Sequence, residues 1–262
     1  MTHGTISNLV IFSLLAVLGL QAACASDGGG TAGTGGALGM GGKLGGGSGG
    51  TVGGQPLTVG SGTPRPCTPS ETVVAPADGL IADFKDPDAG INFVGGGLLA
   101  YPIGSASAPT YTTTGGSLHL TLNRPVISVP QYLGVVVAGR ENCIDATAFS
   151  GVQFSISGSF SGCAMKYYAN DDAHQDDTTG AAHASGPAGS YPPQTVITAN
   201  QLTSTAQIFR MPFSGQLGGS PATPVDPARL IIVGWQFDVD ASTSSTPGSC
   251  IADLTIDDVK FY

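Results

Sequence analysis

The sequence predicts an all-β fold, a two-sheet antiparallel β-sandwich of jelly-roll type, and three observations predict it. Between Cys67 and Tyr262, short runs alternate apolar and polar residues, the period of a half-buried strand. Clusters of Gly, Pro, Ser, Asn and Asp separate those runs, as in sandwiches and barrels. No stretch has the apolar spacing of an amphipathic helix. Residues 67–262 are enough chain for one sizeable core.

The segments ahead of that domain read differently. Residues 1–23 carry the apolar run Leu9 to Leu20, too short for a membrane span and followed by small residues. That pattern predicts a secretory signal peptide, although its first eight residues hold no Lys or Arg. Ala22-Ala23-Cys24 resembles the end of a bacterial lipobox, in which Cys24 becomes the lipidated first residue; Gln21 departs from that pattern. Ordinary cleavage after Ala25 is the competing reading. Residues 24–66 are a Gly-rich tether that cannot bury a core and is expected to be disordered. A tether directly after Cys24 favours the lipid. The expected location is the bacterial outer membrane or cell surface as a lipoprotein, or else the periplasm or medium.

Charge and cysteine content agree with export. The net charge of −9 argues against nucleic acid as a partner, and leaves the N-terminal lipid as the sole expected membrane contact. Charged residues make up 10% of the chain, against about 25% in an average soluble domain. With Cys24 lipidated, four cysteines remain, which suggests two disulfides in an oxidising compartment.

Strands are expected at 79–84, 117–123, 132–138, 152–157, 163–168, 194–198, 207–213, 230–239 and 251–261. Leu118, Leu120 and Leu122 share one face of theirs; so do Val152, Phe154 and Ile156, and Ile231, Val233, Trp235, Phe237 and Val239. Trp235, the single tryptophan, therefore reads as core. In the closing strand Leu254 and Ile256 alternate with polar residues, but Ile256 to Val259 is one residue out of step, so a bulge is expected at Asp257-Asp258. Setting aside the first strand leaves eight, or two sheets of four. In a jelly-roll order the closing strand lies between 117–123 and 152–157, and 230–239 pairs with 132–138 and 163–168. Cys250 then starts beside the end of 152–157, near Cys163. Cys143 lies at the other end of that strand, about 20 Å away. A disulfide needs Cα atoms within about 7 Å. The pairing expected is Cys163–Cys250 and Cys67–Cys143.

The motifs G-L-I-A-D-F-K-D, G-G-S-L-H-L-T, F-S-G-V-Q-F-S-I-S-G, M-P-F-S, V-G-W-Q-F-D-V and I-D-D-V-K-F-Y, in that order, resemble carbohydrate-binding-module-like jelly rolls with the galactose-binding-type β-sandwich. The resemblance covers residues 79–262. It implies a non-catalytic domain whose partner is a glycan or polysaccharide. It also implies, as the one candidate cofactor, a structural calcium ion near the first and last strands, with Asp83, Asp86 and Asp258 as ligands. The chain departs from sugar-binding relatives in having no tryptophan to spare for an exposed face.

The expected ligand face is the outer side of the sheet holding 132–138, 163–168 and 230–239. Tyr168 would stack on a sugar ring, and Lys166, Gln236 and Asp238 would bond hydroxyls. A solvated polar face is the alternative, and with it a structural or protein-interaction domain that binds no sugar. Residues 170–193 read as a long solvated loop; Asp171, Asp172, His174, Asp176, Asp177 and His183 could gather a cation but lack EF-hand spacing. No nucleophile elbow, zinc-protease motif or P-loop is present, and no catalytic residue is expected.

Overall fold

The structure is a computed structural model. It describes residues 65–85, 97–101, 108–113, 115–126, 130–138, 142–176, 183–216, 218–240 and 248–262. The expected signal peptide, Cys24 and most of the tether lie outside the described residues. Within them are thirteen strands: β1 (Thr72–Val74), β2 (Leu80–Ala82), β3 (Gly97–Tyr101), β4 (Thr110–Thr112), β5 (Leu118–Pro125), β6 (Gln131–Ala138), β7 (Cys143–Asp145), β8 (Gly151–Ser161), β9 (Ala164–Asp171), β10 (Thr195–Ile197), β11 (Gln207–Pro212), β12 (Leu230–Val239) and β13 (Ser249–Phe261). The helical pieces among the described residues are short 3-10 turns.

The strands form two sheets. One runs β10-β9-β12-β6-β3, and β7 joins β12 at Leu230, with β1 beside it. The other runs β11-β8-β13-β5-β4, with β2 added to β13. The closing strand lies between β5 and β8, and β12 lies between β6 and β9, as the jelly-roll order predicts. The expectation of two four-stranded sheets is corrected to seven and six strands. The additional strands β1, β3, β4 and β7 have three to five residues each, too few to show an alternation. One departure is topological: β1 and β7 are parallel, with Thr72 opposite Cys143.

The core fills the space between the sheets. Leu118, Leu120, Phe154, Ile156, Leu254 and Ile256 come from one side; Leu133, Val135, Met165, Tyr167, Trp235 and Phe237 come from the other, all with no exposed surface. Phe154 stacks on Tyr167 and meets Trp235 edge-on, each at 5.2 Å between ring centroids. Such aromatic pairs add about 1 kcal/mol each beyond the area they bury. The bulge in β13 falls where the alternation slips: the register with β8 shifts between Asp257 and Lys260, and Asp258 takes a φ of 51°.

Both disulfides are present, Cys67–Cys143 with Cα atoms 5.9 Å apart and Cys163–Cys250 at 5.2 Å. The second depends on the β8–β9 turn passing close to β13. At Gly162, with φ 75°, a Cβ would stand 2.3 Å from the Ser249 carbonyl oxygen, so only glycine fits.

Candidate functional site

The outer face of the β10-β9-β12-β6-β3 sheet carries the expected ligand residues, and strand register places them in rows. Val196, Lys166, Gln236, Gly134 and Tyr101 form one row across all five strands. The row on one side of it holds Ala164, Asp238 and Tyr132, and the row on the other holds Tyr168, Gly234 and Val136.

The polar groups in these rows form a connected chain. The Tyr168 hydroxyl donates to the Tyr101 hydroxyl at 3.4 Å, and Tyr101 donates to Gln236 Oε1 at 3.1 Å. Gln236 Nε2 then donates to Asp238 Oδ1 at 2.7 Å, and Lys166 Nζ meets Asp238 Oδ2 at 2.5 Å. Asp238 is buried, and both its oxygens are held. Lys166 spends one of its three donors there and keeps its side chain 25% exposed.

Two glycines let the tyrosine rings lie against the sheet. A Cβ on Gly234 would come within 2.7 Å of Tyr168 Cζ, and one on Gly134 within 2.4 Å of the Tyr101 hydroxyl. Burial pushes the Tyr168 phenol up to about 12, a shift that the bond to Tyr101 partly offsets. Burial also raises the Tyr101 phenol well above its usual range, with Tyr168 and the Asp238 charge adding to it.

Lys166, Tyr168, Gln236 and Asp238 thus share one face and one network, but Tyr168 is corrected as a stacking platform. It is 7% exposed and forms the floor of the face. The exposed ring is Tyr132 at 56%, beside Asp238. Tyr132 does not stand out in the sequence because it opens a run, L-G-V-V-V-A, whose two faces look alike. Tyr101 does not stand out because the strand that carries it is short.

The expectation of a solvated 170–193 loop is also corrected. Asn170, Asp171, Asp172, His174 and His183 are buried. Asp171 Oδ1 accepts from the His174 backbone at 2.9 Å and lies 2.7 Å from His174 Nδ1, while Asp171 Oδ2 accepts from the Asp226 backbone at 2.6 Å. His174 Nε2 sits 3.1 Å from the carbonyl oxygens of both Pro221 and Thr223. Asp172 accepts from the Cys67 backbone at 2.7 Å and pairs with Arg229 at 3.3 Å. The Asp171, Asp172 and His174 side chains lock chain segments together. The D-x-x-H spacing was the available signal, since an Asp often caps the backbone of the residues just after it. Asp176 Oδ2 accepts from the Gly189 backbone at 2.5 Å, and Asp177 lies outside the described residues.

Of the expected calcium ligands, Asp86 lies outside the described residues. Asp83 Oδ2 is 3.3 Å from Lys85 Nζ, which supplies a counter-charge. Burial pushes the Asp257 carboxyl up, the Asp258 backbone N–H that it accepts draws it back, and the charges of Asp258 and Asp83 add to the rise. His119 pairs across the strand with Asp253 at 2.8 Å on the outer side of the other sheet.

No family model matches the chain, and no curated protein matches it. Among solved structures it is similar to the family 11 carbohydrate-binding module from Clostridium thermocellum, described in complex with a β-1,3-1,4-mixed-linked tetrasaccharide, at 12% identity and a TM-score of 0.42, over 70% of this chain and 93% of that one. It is also similar to the family 30 carbohydrate-binding module of a C. thermocellum cellulosomal cellulase, at 14% identity and a TM-score of 0.40, over 64% and 90%. The N-terminal cellulose-binding domain of Cellulomonas fimi β-1,4-glucanase C matches at 17% identity and a TM-score of 0.31, over 63% and 88%.

Proposed function

We propose that this is a non-catalytic, exported glycan-binding domain whose ligand lies on the outer face of the β10-β9-β12-β6-β3 sheet. The observation that supports it most is the exposed Tyr132 ring standing beside the Lys166–Asp238–Gln236 network. An aromatic ring next to a few fixed polar groups is what a sugar requires: the apolar face of a pyranose stacks, and its hydroxyls find positioned partners. Tyr132 stacks in this reading, and Lys166 supplies the donors it has left.

Binding rather than turnover fits the same residues. Hydrolysis of a glycosidic bond uses two carboxyl groups free to exchange protons, and Asp238 has both oxygens held by neighbours. The two disulfides are consistent with an oxidising, extracytoplasmic compartment. Lipidation of Cys24 belongs to the proposal, and the intact mass of membrane-extracted protein with and without Cys24→Ser tests it. A structural calcium at Asp83 and Asp258 belongs to it too; a calcium-dependent rise in thermal midpoint, lost in Asp258→Asn, is the test.

Affinity electrophoresis in gels containing soluble polysaccharides tests the binding face. Retardation by at least one polysaccharide is expected, lost in Tyr132→Ala and in Gln236→Ala with circular dichroism unchanged. Retention of binding in both variants would rule out this face. Failure to bind any polysaccharide would favour a structural or protein-interaction domain.

A further inference from the structure

The Cys67–Cys143 disulfide has a third chemical neighbour. A ring nitrogen of His183 and the two sulfurs all lie within 4.8 Å of one another. Cys143 and His183 are buried, and Cys67 is half-buried. Three separate stretches of chain meet here: the segment ahead of β1, the start of β7, and residues 183–186. Each is fixed by backbone bonds. Thr72 is in register with Cys143, Ala184 N donates to the Arg65 carbonyl at 3.1 Å, and Ser185 N donates to the Asp172 carbonyl at 2.7 Å. Asp172 Oδ2 also accepts the Cys67 N–H at 2.7 Å.

We infer that reduction of this disulfide converts the cluster into a binding site for a thiophilic divalent cation such as Zn²⁺, held by Cys67, Cys143 and His183. An external dithiol breaks the S–S bond by exchange, giving up two electrons and two protons as it closes to its own disulfide, and leaves Cys67 and Cys143 as two thiols. The cation then displaces one proton from each and bonds both thiolates and the imidazole nitrogen. Two thiolates and one divalent cation sum to zero charge, which a buried site tolerates and two bare thiolates do not. Tetrahedral zinc with Zn–S bonds of about 2.3 Å places its sulfurs about 3.8 Å apart. Side-chain rotation supplies that separation, because Cα atoms 5.9 Å apart already suit it. Water completes the fourth position from the half-exposed Cys67 side. The same three chain segments are therefore cross-linked in either redox state, by sulfur when oxidised and by metal when reduced. The inference is independent of the sugar reading.

The test uses the full chain carrying Cys24→Ser, Cys163→Ala and Cys250→Ala, so that the Cys67–Cys143 pair, reduced by a phosphine, supplies its only thiols. Titration with Zn²⁺ is followed by native mass spectrometry, and Co²⁺ serves as a coloured substitute. One Zn²⁺ per chain is expected after reduction and none before, with a thiolate-to-cobalt absorption band. His183→Ala should weaken binding by more than ~10-fold, the loss expected for removing even an outer partner of a metal ligand. Absence of a one-to-one complex in the reduced protein, or affinity unchanged in His183→Ala, overturns the inference. Circular dichroism covers the case in which reduction unfolds the chain: Zn²⁺ must then restore the β signal, and a chain that stays unfolded overturns the inference equally.

Discussion

Gly234→Ala tests whether the tyrosine floor is built as described. The new methyl would stand 2.7 Å from Tyr168 Cζ, 2.8 Å from its hydroxyl oxygen and 2.8 Å from Val136 Cγ1. Carbon atoms in contact prefer about 3.5–4.0 Å, so the ring must rise by about 1 Å. Only side chains obstruct the methyl, and the backbone can stay in place. The rising ring loses the 3.4 Å contact with Tyr101 and the burial that raises its phenol. Overpacking of this kind costs about 1–3 kcal/mol, while the stiffer unfolded chain returns about 0.4–1 kcal/mol. A net loss of about 1–2 kcal/mol in urea unfolding is expected. The pH dependence gives a second readout. A phenol that titrates at about 12 in the fold and near 10 when unfolded favours the fold only while it is neutral. Its contribution, roughly 2–3 kcal/mol for a shift of this size, is complete below pH 10 and lost as pH climbs through about 12. In Gly234→Ala the phenolate absorbance should appear at lower pH than in wild type, and the alkaline loss of stability should shrink. Wild-type stability together with an unchanged phenolate titration would refute the placement of the ring on Gly234.

Three further outcomes follow from the same geometry. Lys166→Met removes the ammonium paired with the buried Asp238 carboxylate and should cost about 2 kcal/mol in urea unfolding, most of it recovered in the Lys166→Met/Asp238→Asn double variant. Trp235→Phe should cost far less than the ~3–5 kcal/mol of Trp235→Ala, because the buried indole N–H has no protein acceptor to lose, and thermal denaturation of both variants measures the gap. Replacing Cys163 and Cys250 by Ala opens a loop spanning 87 residues and should cost about 4 kcal/mol, read as a lower urea midpoint.

The sequence showed the fold wherever a strand was long enough to alternate. The eight- to thirteen-residue strands β5, β6, β8, β9, β12 and β13 were legible, as were β2, β10 and β11 within slightly longer expected runs, and the order of the long strands followed from the jelly-roll arrangement, which in turn gave the cysteine pairing. β1, β3, β4 and β7 were missed, since runs of three to five residues display little of a period. The site was half legible. Residue alternation put Lys166, Tyr168, Gln236 and Asp238 on one face, but could not say that Gly234 lets Tyr168 fold flat and bury itself. A glycine inside a strand signals close approach to something, without naming it. The polar loop misled because Asp and His are usually solvated. Asp171, Asp172 and His174 are instead buried because each carboxylate or ring nitrogen has a backbone or side-chain partner.

The parallel pairing of β1 with β7 determines how the domain carries mechanical load. A pull applied upstream of Cys67 reaches the sulfur bridge before it reaches β1. It crosses the sulfur bridge to Cys143 and enters β7, whose neighbour at Leu230 is β12, the strand at the middle of its sheet. β1, which has three residues paired to β7, is short-circuited and cannot be unzipped from its leading end. Tension that crosses the bridge therefore reaches the strand that carries Gln236 and Asp238, the strand of the proposed glycan face.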